Sequence, residues 1–316
     1  MFNKFNEKMD DLYQVTNGKN VILWGWGMSG KFLYLHFKKS NRRIACVIDD
    51  GFNNEMDIIG IKSHHVLDYY EPETTTILVT VYKGTEEIEE ICHQYGFRDV
   101  ILIRHMFYED EPSRELDYYP WLEYEYGMDL VHGKTIAEAE HGEPDCNVTE
   151  FHDYWPGKGI VLESVLNNFK FHEDDAVFDF GCGKGTSFFI FERAGMKRGG
   201  GIEFDRQLYR LAAENADILE RETGHRYSVV CGDAAKFTDI DSYNYFYMFD
   251  PFEGECLQNV ITNIENSYRR KNRKIILIYM APRFHRQVVE NQMFKLAYEV
   301  KSLFAITRTT NVYVLG

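Results

Sequence analysis

The chain has 316 residues, 44% of them hydrophobic and 27% charged, with 7 prolines, which is long enough for two compact domains and excludes a low-complexity or disordered protein. Its net charge of −15 argues against DNA or RNA as a partner, because a basic patch supplies most of that affinity, and the run "YRRKNRK" at 268–274 reads as a solvated helix end. No apolar run approaches the roughly 20 residues of a membrane span, the first residues lack the apolar core of a signal peptide, and the scattered cysteines include no C-x-x-C pair, so the expectation is a cytoplasmic protein with free thiols and no membrane partner.

In chain order, "NVILWG" (20–25) predicts a strand, "MSGKFLYLHFKK" (28–39) a helix and "RRIACVIDD" (42–50) a second strand. "TTILVTV" (75–81), the amphipathic "TEEIEEICHQYG" (85–96) and "RDVILI" (98–103) continue the alternation. Strands alternating with helices imply parallel pairing, hence a small Rossmann-like domain over 1–105. Residues 106–150 break the rhythm. They are acidic and aromatic, and so many Tyr and Trp residues predict a packed connector or an interface rather than a disordered linker.

From 151 to 316 the α/β pattern resumes. Helices are expected at 158–169, from 186, at 206–222, 255–270 and 286–296. Strands are expected at "AVFDFG" (176–181), "GGGIEF" (199–204), "YSVVCGD" (227–233), "YFYMFD" (245–250) and "KIILIYM" (274–280). "VKSLFAI" (300–306) and "NVYVLG" (311–316), separated by a few polar residues, predict a closing antiparallel hairpin.

Two glycine loops follow first strands of these alternations. In the upstream one, Gly25, Gly27 and Gly30 have the G-x-G-x-x-G spacing, and Asp49 lies about 20 residues on, where a ribose-binding acid belongs. The dinucleotide fingerprint is thus formally complete. About 100 residues leave no room for a dehydrogenase's catalytic domain, so hydride transfer is not expected, and the loop remains a candidate second nucleotide site or a structural turn. In the downstream loop, "FDFGCGKG", Asp179 precedes Gly181, Gly183 and Gly185. A carboxylate there repels a pyrophosphate but suits a cationic amino-acid moiety, while the glycines let the backbone approach a ligand. Glu203 ends the next strand, about 20 residues on, where it can accept both ribose hydroxyls. Asp233, with Ala234 beside it, follows the third strand and suits an adenine amine, and Asp250 in "FDPFEG" ends the fourth.

With these residues in this order, 151–316 resembles a class I S-adenosylmethionine-dependent methyltransferase. The resemblance implies a seven-stranded sheet with a terminal hairpin and S-adenosylmethionine as cofactor. It also implies a stretch before the domain, "EFHDYW", folding over the cofactor through Tyr154 and Trp155, with an aromatic staple on the first helix as the alternative. "DPF" resembles a shortened form of the "(D/N)PP(Y/F)" step of amino-methyltransferases. Asp250 then either positions or deprotonates an acceptor, or caps the following turn. The expected acceptor is the oxygen of a sugar-like or other small molecule; an amine nitrogen, or a degenerate fold kept as a binding module, are the alternatives. The first domain resembles small Rossmann domains fused to bacterial sugar-modifying enzymes, which implies a structural, assembly or nucleotide-sugar role, with a homodimer in view. No metal is expected: the spacing of His141, Cys146, His152 and Asp153 is loose for zinc. His64 and His65 are expected to be solvated.

Overall fold

The computed structural model describes residues 1–52, 58–131, 154–303 and 309–316. They divide into two compact units, Phe2–Tyr126 and Gly127–Gly316, the latter joined by Met1. His141, Cys146, His152, Asp153 and the latter part of the expected connector lie outside the described residues.

The first unit opens with a helix that the alternation did not reveal, α1 (Asn3–Val15), whose buried Phe5, Met9 and Leu12 recur at helical spacing. Then come β1 (Asn20–Trp24), α2 (Met28–Lys39), β2 (Cys46–Ile48), β3 (Gly60–Ile61), β4 (Thr75–Val79), α3 (Thr85–Gln94), β5 (Val100–Leu102), α4 (Ile103–Phe107) and α5 (Tyr118–Tyr126). The sheet is parallel, in the order β3-β2-β1-β4-β5. His64 and His65 begin a short 3-10 turn; His65 is exposed, with Nδ1 2.8 Å from the Tyr95 hydroxyl, whereas His64 is half-buried and stacks on Trp24.

Residues 106–126 are packed into this unit. Phe107, Tyr108, Tyr118, Trp121 and Leu122 are almost wholly buried. Arg104 Nε donates to Arg114 O (2.7 Å), the Tyr108 hydroxyl to Glu115 O (2.8 Å), and the Leu116 N–H to Ser29 Oγ (3.0 Å). The Phe5 ring sits at the centre, 5.3–5.9 Å from the rings of Phe32, Phe107, Tyr118 and Trp121. The acidic-aromatic segment has no sequence period of its own because its apolar groups face α1 and α2 rather than a sheet.

The second unit runs α6 (Gly159–Leu166), β6 (Val177–Phe180), α7 (Thr186–Arg193), β7 (Arg198–Glu203), α8 (Arg206–Thr223), β8 (Arg226–Cys231), β9 (Tyr245–Phe249), α9 (Gly254–Arg270), β10 (Ile275–Met280), α10 (His285–Val289), β11 (Lys295–Lys301) and β12 (Thr309–Leu315). Its seven-stranded sheet has the order β11-β12-β10-β9-β6-β7-β8. Strands β6 to β10 pair in parallel, and β12 runs antiparallel to both β10 and β11. This is the α/β fold with a terminal antiparallel hairpin that the sequence predicts. Between β9, β10 and α9 lies a core that includes Phe246, Met248, Leu257, Ile261 and Leu277.

Two boundaries differ from expectation. The helix expected at 286–296 ends at Val289, since Gln292 is left-handed (φ 59°) and breaks the helical path. The first strand of the hairpin begins at Lys295, not Val300. It is an edge strand whose Lys295, Glu299 and Lys301 are exposed, so it lacks the apolar alternation that marks a half-buried strand. Cys231, the last residue of β8, is exposed. Among the described residues, no helix is long and apolar enough to cross a membrane.

Truncating Phe5 to Ala removes the ring on which α1, α2 and the 106–126 segment converge. The first unit should lose about 3–5 kcal/mol of unfolding free energy, measured as a shift of its denaturant midpoint. A loss below about 1 kcal/mol would mean that α1 is not part of this core.

Candidate active site

The downstream glycine loop leaves the carboxyl end of β6 and turns beside the end of β7. The N–H groups of Gly181 and Cys182 both donate to Ile202 O at 3.0 Å. The Gly183 N–H donates to Glu203 Oε2 (2.9 Å), and the Asp205 N–H to Glu203 Oε1 (2.9 Å). Gly181, Gly183 and Gly185 all have positive φ. Space also disfavours a side chain at each: a Cβ on Gly181 would meet Pro251 at 2.7 Å, one on Gly183 the Tyr154 ring at 2.3 Å, and one on Gly185 the Phe188 ring at 2.9 Å.

The structure brings the sequence-predicted acids to neighbouring strand ends. Asp179 lies within β6, buried, with Ser187 Oγ donating to its carboxylate. Glu203 ends β7, also buried. Asp233 follows β8. Its Oδ1 accepts the Ala235 N–H (2.9 Å), whereas Oδ2 is buried with no hydrogen-bond partner and the Lys236 ammonium is 3.9 Å away. Ala234 packs against the sheet core.

Residues on either side of the undescribed 132–153 cover this loop. The Tyr154 hydroxyl donates to Leu130 O (2.8 Å), with its ring against Gly183. Trp155 is exposed, so of the two aromatics only Tyr154 lies on the loop. Sequence reasoning missed Lys184, whose side chain is 1% exposed; its ammonium donates to Asp129 Oδ1 (2.6 Å) and lies 5.4 Å from the centre of the Tyr154 ring. Asn215 Nδ2 completes the tie by donating to Lys184 O (2.9 Å) and Asp129 O (3.3 Å). The available signal was a lysine set between two glycines of the loop, where its backbone carbonyl and side chain can serve different partners.

At the ends of β9 and β10 lie two left-handed non-glycine residues, Asp250 (φ 40°) and Ala281 (φ 52°), a conformation that costs energy and concentrates at functional sites. The Asp250 carboxylate accepts the Tyr279 hydroxyl (3.2 Å) at Oδ1 and pairs with Arg283 through Oδ2. It is therefore directed toward the end of β10, and no backbone N–H among the described residues is capped by it. Pro251 packs on Gly181, while Phe252 enters the core. Gly157 crosses above, its Cβ position 3.3 Å from the Phe249 ring and 3.6 Å from Met280 Sδ.

The upstream loop has parallel construction in its own unit. The Gly25 N–H donates to Ile48 O (2.9 Å), and the Trp26 N–H to Asp49 Oδ2 (2.7 Å). Asp49 Oδ1 accepts the Gly51 N–H (2.8 Å). A Cβ on Gly30 would lie 2.2 Å from Gly25 O, so that glycine lets α2 pack on the turn. Gly27 begins α2 with open space around it. Trp26 is buried against Tyr34 and Phe52.

No known protein family matches the sequence, and no curated protein is similar to it. Among solved structures, about half of the chain is similar to several methyltransferases. One is magnesium protoporphyrin IX methyltransferase from Synechocystis PCC 6803 with bound SAM, at 16% identity and a TM-score of 0.36 over 50% of this chain and 78% of that one. Another is a SAM-dependent methyltransferase from Aquifex aeolicus, at 15% identity and 0.38 over 49% and 88%. A third is a ribosomal protein L11 methylase from Lactobacillus delbrueckii subsp. bulgaricus, at 14% identity and 0.37 over 49% and 77%.

Burial, reinforced by the charge of Glu203, pushes Asp179 up to about 7, with the Ser187 hydrogen bond opposing. Burial likewise pushes Glu203 up to about 7 against the opposing N–H groups of Asp205 and Gly183. An acid whose pKa rises on folding holds its proton more tightly in the native state. Its stabilising contribution is thus complete below the ordinary carboxylate range and is lost as pH climbs to about 7. The melting temperature of the ligand-free protein should fall from about pH 5 to pH 7. It should fall less in Asp179→Asn, which keeps an acceptor for Ser187 without a charge; parallel melting curves would show that Asp179 does not titrate there.

Proposed function

We propose that the second unit is an S-adenosylmethionine-dependent methyltransferase acting on the oxygen of a sugar-like or other small-molecule acceptor. The observation that carries this reading is the set of three carboxylates, Asp179, Glu203 and Asp233, at the carboxyl ends of the adjacent parallel strands β6, β7 and β8 beside a glycine loop. Such strand ends are where open α/β sheets bind ligands, and three acids select a cationic ligand without phosphate. S-adenosylmethionine supplies a methyl group on a sulfonium when bound.

The residues fit that cofactor. The buried Asp233 Oδ2 lacks a hydrogen-bond partner and suits the adenine amine, with Ala234 beside the base. Glu203 accepts the N–H groups of Gly183 and Asp205, and a carboxylate with about four lone-pair sites keeps acceptor capacity for a ribose hydroxyl. Asp179 suits the ammonium, Gly181, Gly183 and Gly185 admit the ligand to the backbone, and Tyr154 covers the loop and excludes water. Asp250, engaged with Arg283 and Tyr279, is better suited to orienting an acceptor than to removing its proton. Its resemblance to the amino-methyltransferase step supports nitrogen as the second reading. For the first unit we propose an assembly role ahead of nucleotide-sugar binding at Gly25, Gly27, Gly30 and Asp49, since the Trp26 side chain is buried beside the turn against Tyr34 and Phe52. The free thiols among the described cysteines support a cytoplasmic location.

Calorimetry with S-adenosylmethionine should show Glu203→Ala losing about 1–3 kcal/mol of binding free energy. Unchanged affinity would mean that the ribose is held elsewhere, and the melting point of the ligand-free variant separates this from loss of the loop's fold. With an acceptor in hand, Asp250→Asn should retain cofactor binding while turnover drops about a hundredfold. Full turnover would remove Asp250 from the acceptor site.

A further inference from the structure

The first unit contains a cavity that its glycine loop does not account for. Its volume is about 300 Å³, and it is lined by residues that precede β2 and β3 together with the last turn of α2. It therefore lies at the amino ends of these strands, whereas Gly25 to Gly30 and Asp49 occupy the carboxyl ends of β1 and β2. Lys38, Arg42 and Arg43 converge on it, buried Tyr34 and Ile44 supply an apolar wall, and among the described residues no lining side chain is acidic.

Local structure gathers these cations. The Arg42 N–H returns to Phe37 O (2.8 Å) and the Asn41 N–H to Lys38 O (3.1 Å), with Asn41 left-handed (φ 55°). This is a helix-ending motif that reverses the chain, bringing Arg42 and Arg43 back beside Lys38. A helix C-terminus favours one nearby cation through its dipole, which accounts for Lys38 but not for the two arginines beyond the helix. Arg42 is held in place, Nη1 donating to Tyr13 O (3.0 Å) and the guanidinium 4.7 Å from the centre of the Tyr13 ring. Lys38 lies 5.8 Å from the Tyr34 ring centre, and neither Lys38 nor Arg43 has a carboxylate partner among the described residues. In a chain of net charge −15, three mutually repelling cations around one concavity are a cost that an anion removes.

We propose that this cavity binds a small phosphate monoester, the phosphate held by Arg42, Arg43 and Lys38 and an apolar or ring-shaped body against Tyr34 and Ile44. A dianionic phosphate matches guanidinium forks and neutralises more of the three charges than a carboxylate does. The volume is at the lower end of ligand pockets, which suits a compact molecule. This site is independent of methyl transfer in the other unit.

The test is calorimetry on the full chain at low salt, with phenyl phosphate as probe and benzoate as its carboxylate counterpart. Phenyl phosphate should bind more tightly than benzoate. Its affinity should fall about tenfold or more in the double variant Lys38→Ala/Arg43→Ala, the loss of a charged contact or two. Arg221→Ala, an exposed cation in the other unit, should bind like the wild type. Arg43→Lys should retain most of the affinity and Arg43→Glu lose it, which isolates charge from any effect on folding. Absence of phenyl phosphate binding at millimolar concentration, equal binding of benzoate, or an unaltered affinity in the double variant and in Arg43→Glu would overturn the assignment.

Discussion

A backbone N–H of a glycine turn, donated to a carboxylate at the end of the neighbouring strand, is the contact on which both units depend. In the second unit Gly183 donates to Glu203, and in the first Trp26 donates to Asp49. The turn must leave its strand abruptly, exposing N–H groups that no ladder satisfies, and a buried N–H needs a partner. A carboxylate from the adjacent parallel strand end is close enough to supply one. The acid in turn is taken out of water, and only these N–H groups offset that cost.

The two units use this contact differently. Around the Asp49 contact the first unit packs Trp26, Tyr34 and Phe52. Glu203 stands within a wider acidic setting, since Asp179 on the preceding strand is also buried and Asp233 on the following one keeps an oxygen without a hydrogen-bond partner. Burial raises the pKa of both Asp179 and Glu203, and a cation placed beside them would favour their charged forms. The loop is poised for charge complementarity in a way that the upstream loop is not.

Lys184 links the loop to its cover. It is enclosed by Asp129, the Tyr154 ring and Asn215, so two segments far apart in sequence meet on one buried ammonium. A charge so placed holds its carboxylate partner strongly, because an unpaired ammonium cannot stay in that environment. The segment around Asp129 and Tyr154 is thereby tied to the loop.

The alternation of strands and helices, the two glycine turns and the acids after successive strands were legible in the sequence, because each rests on local chemistry: period two against period 3.6, positive φ at glycine, and carboxylates at strand ends. That is why most strands, the loop at 181–185 and the positions of Asp179, Glu203 and Asp233 were legible in the sequence, whereas β3, two residues long, carries no period to read. Contacts between distant segments decided the rest. Helix α1 and the aromatic run at 106–126 have no sheet to set their period, and only mutual packing around Phe5 gives them a core. The edge strand at 295–301 is specified by pairing with β12 rather than by an apolar face. Lys184 meets Asp129 across 55 residues of chain, and Asp250 turns to Tyr279 on β10 and to Arg283 just beyond it. The sequence by itself determined which residues stand at the strand ends; only the tertiary structure decided what each of them faces, because partners so far apart in the chain are chosen by packing and the burial of charge, not by local propensity.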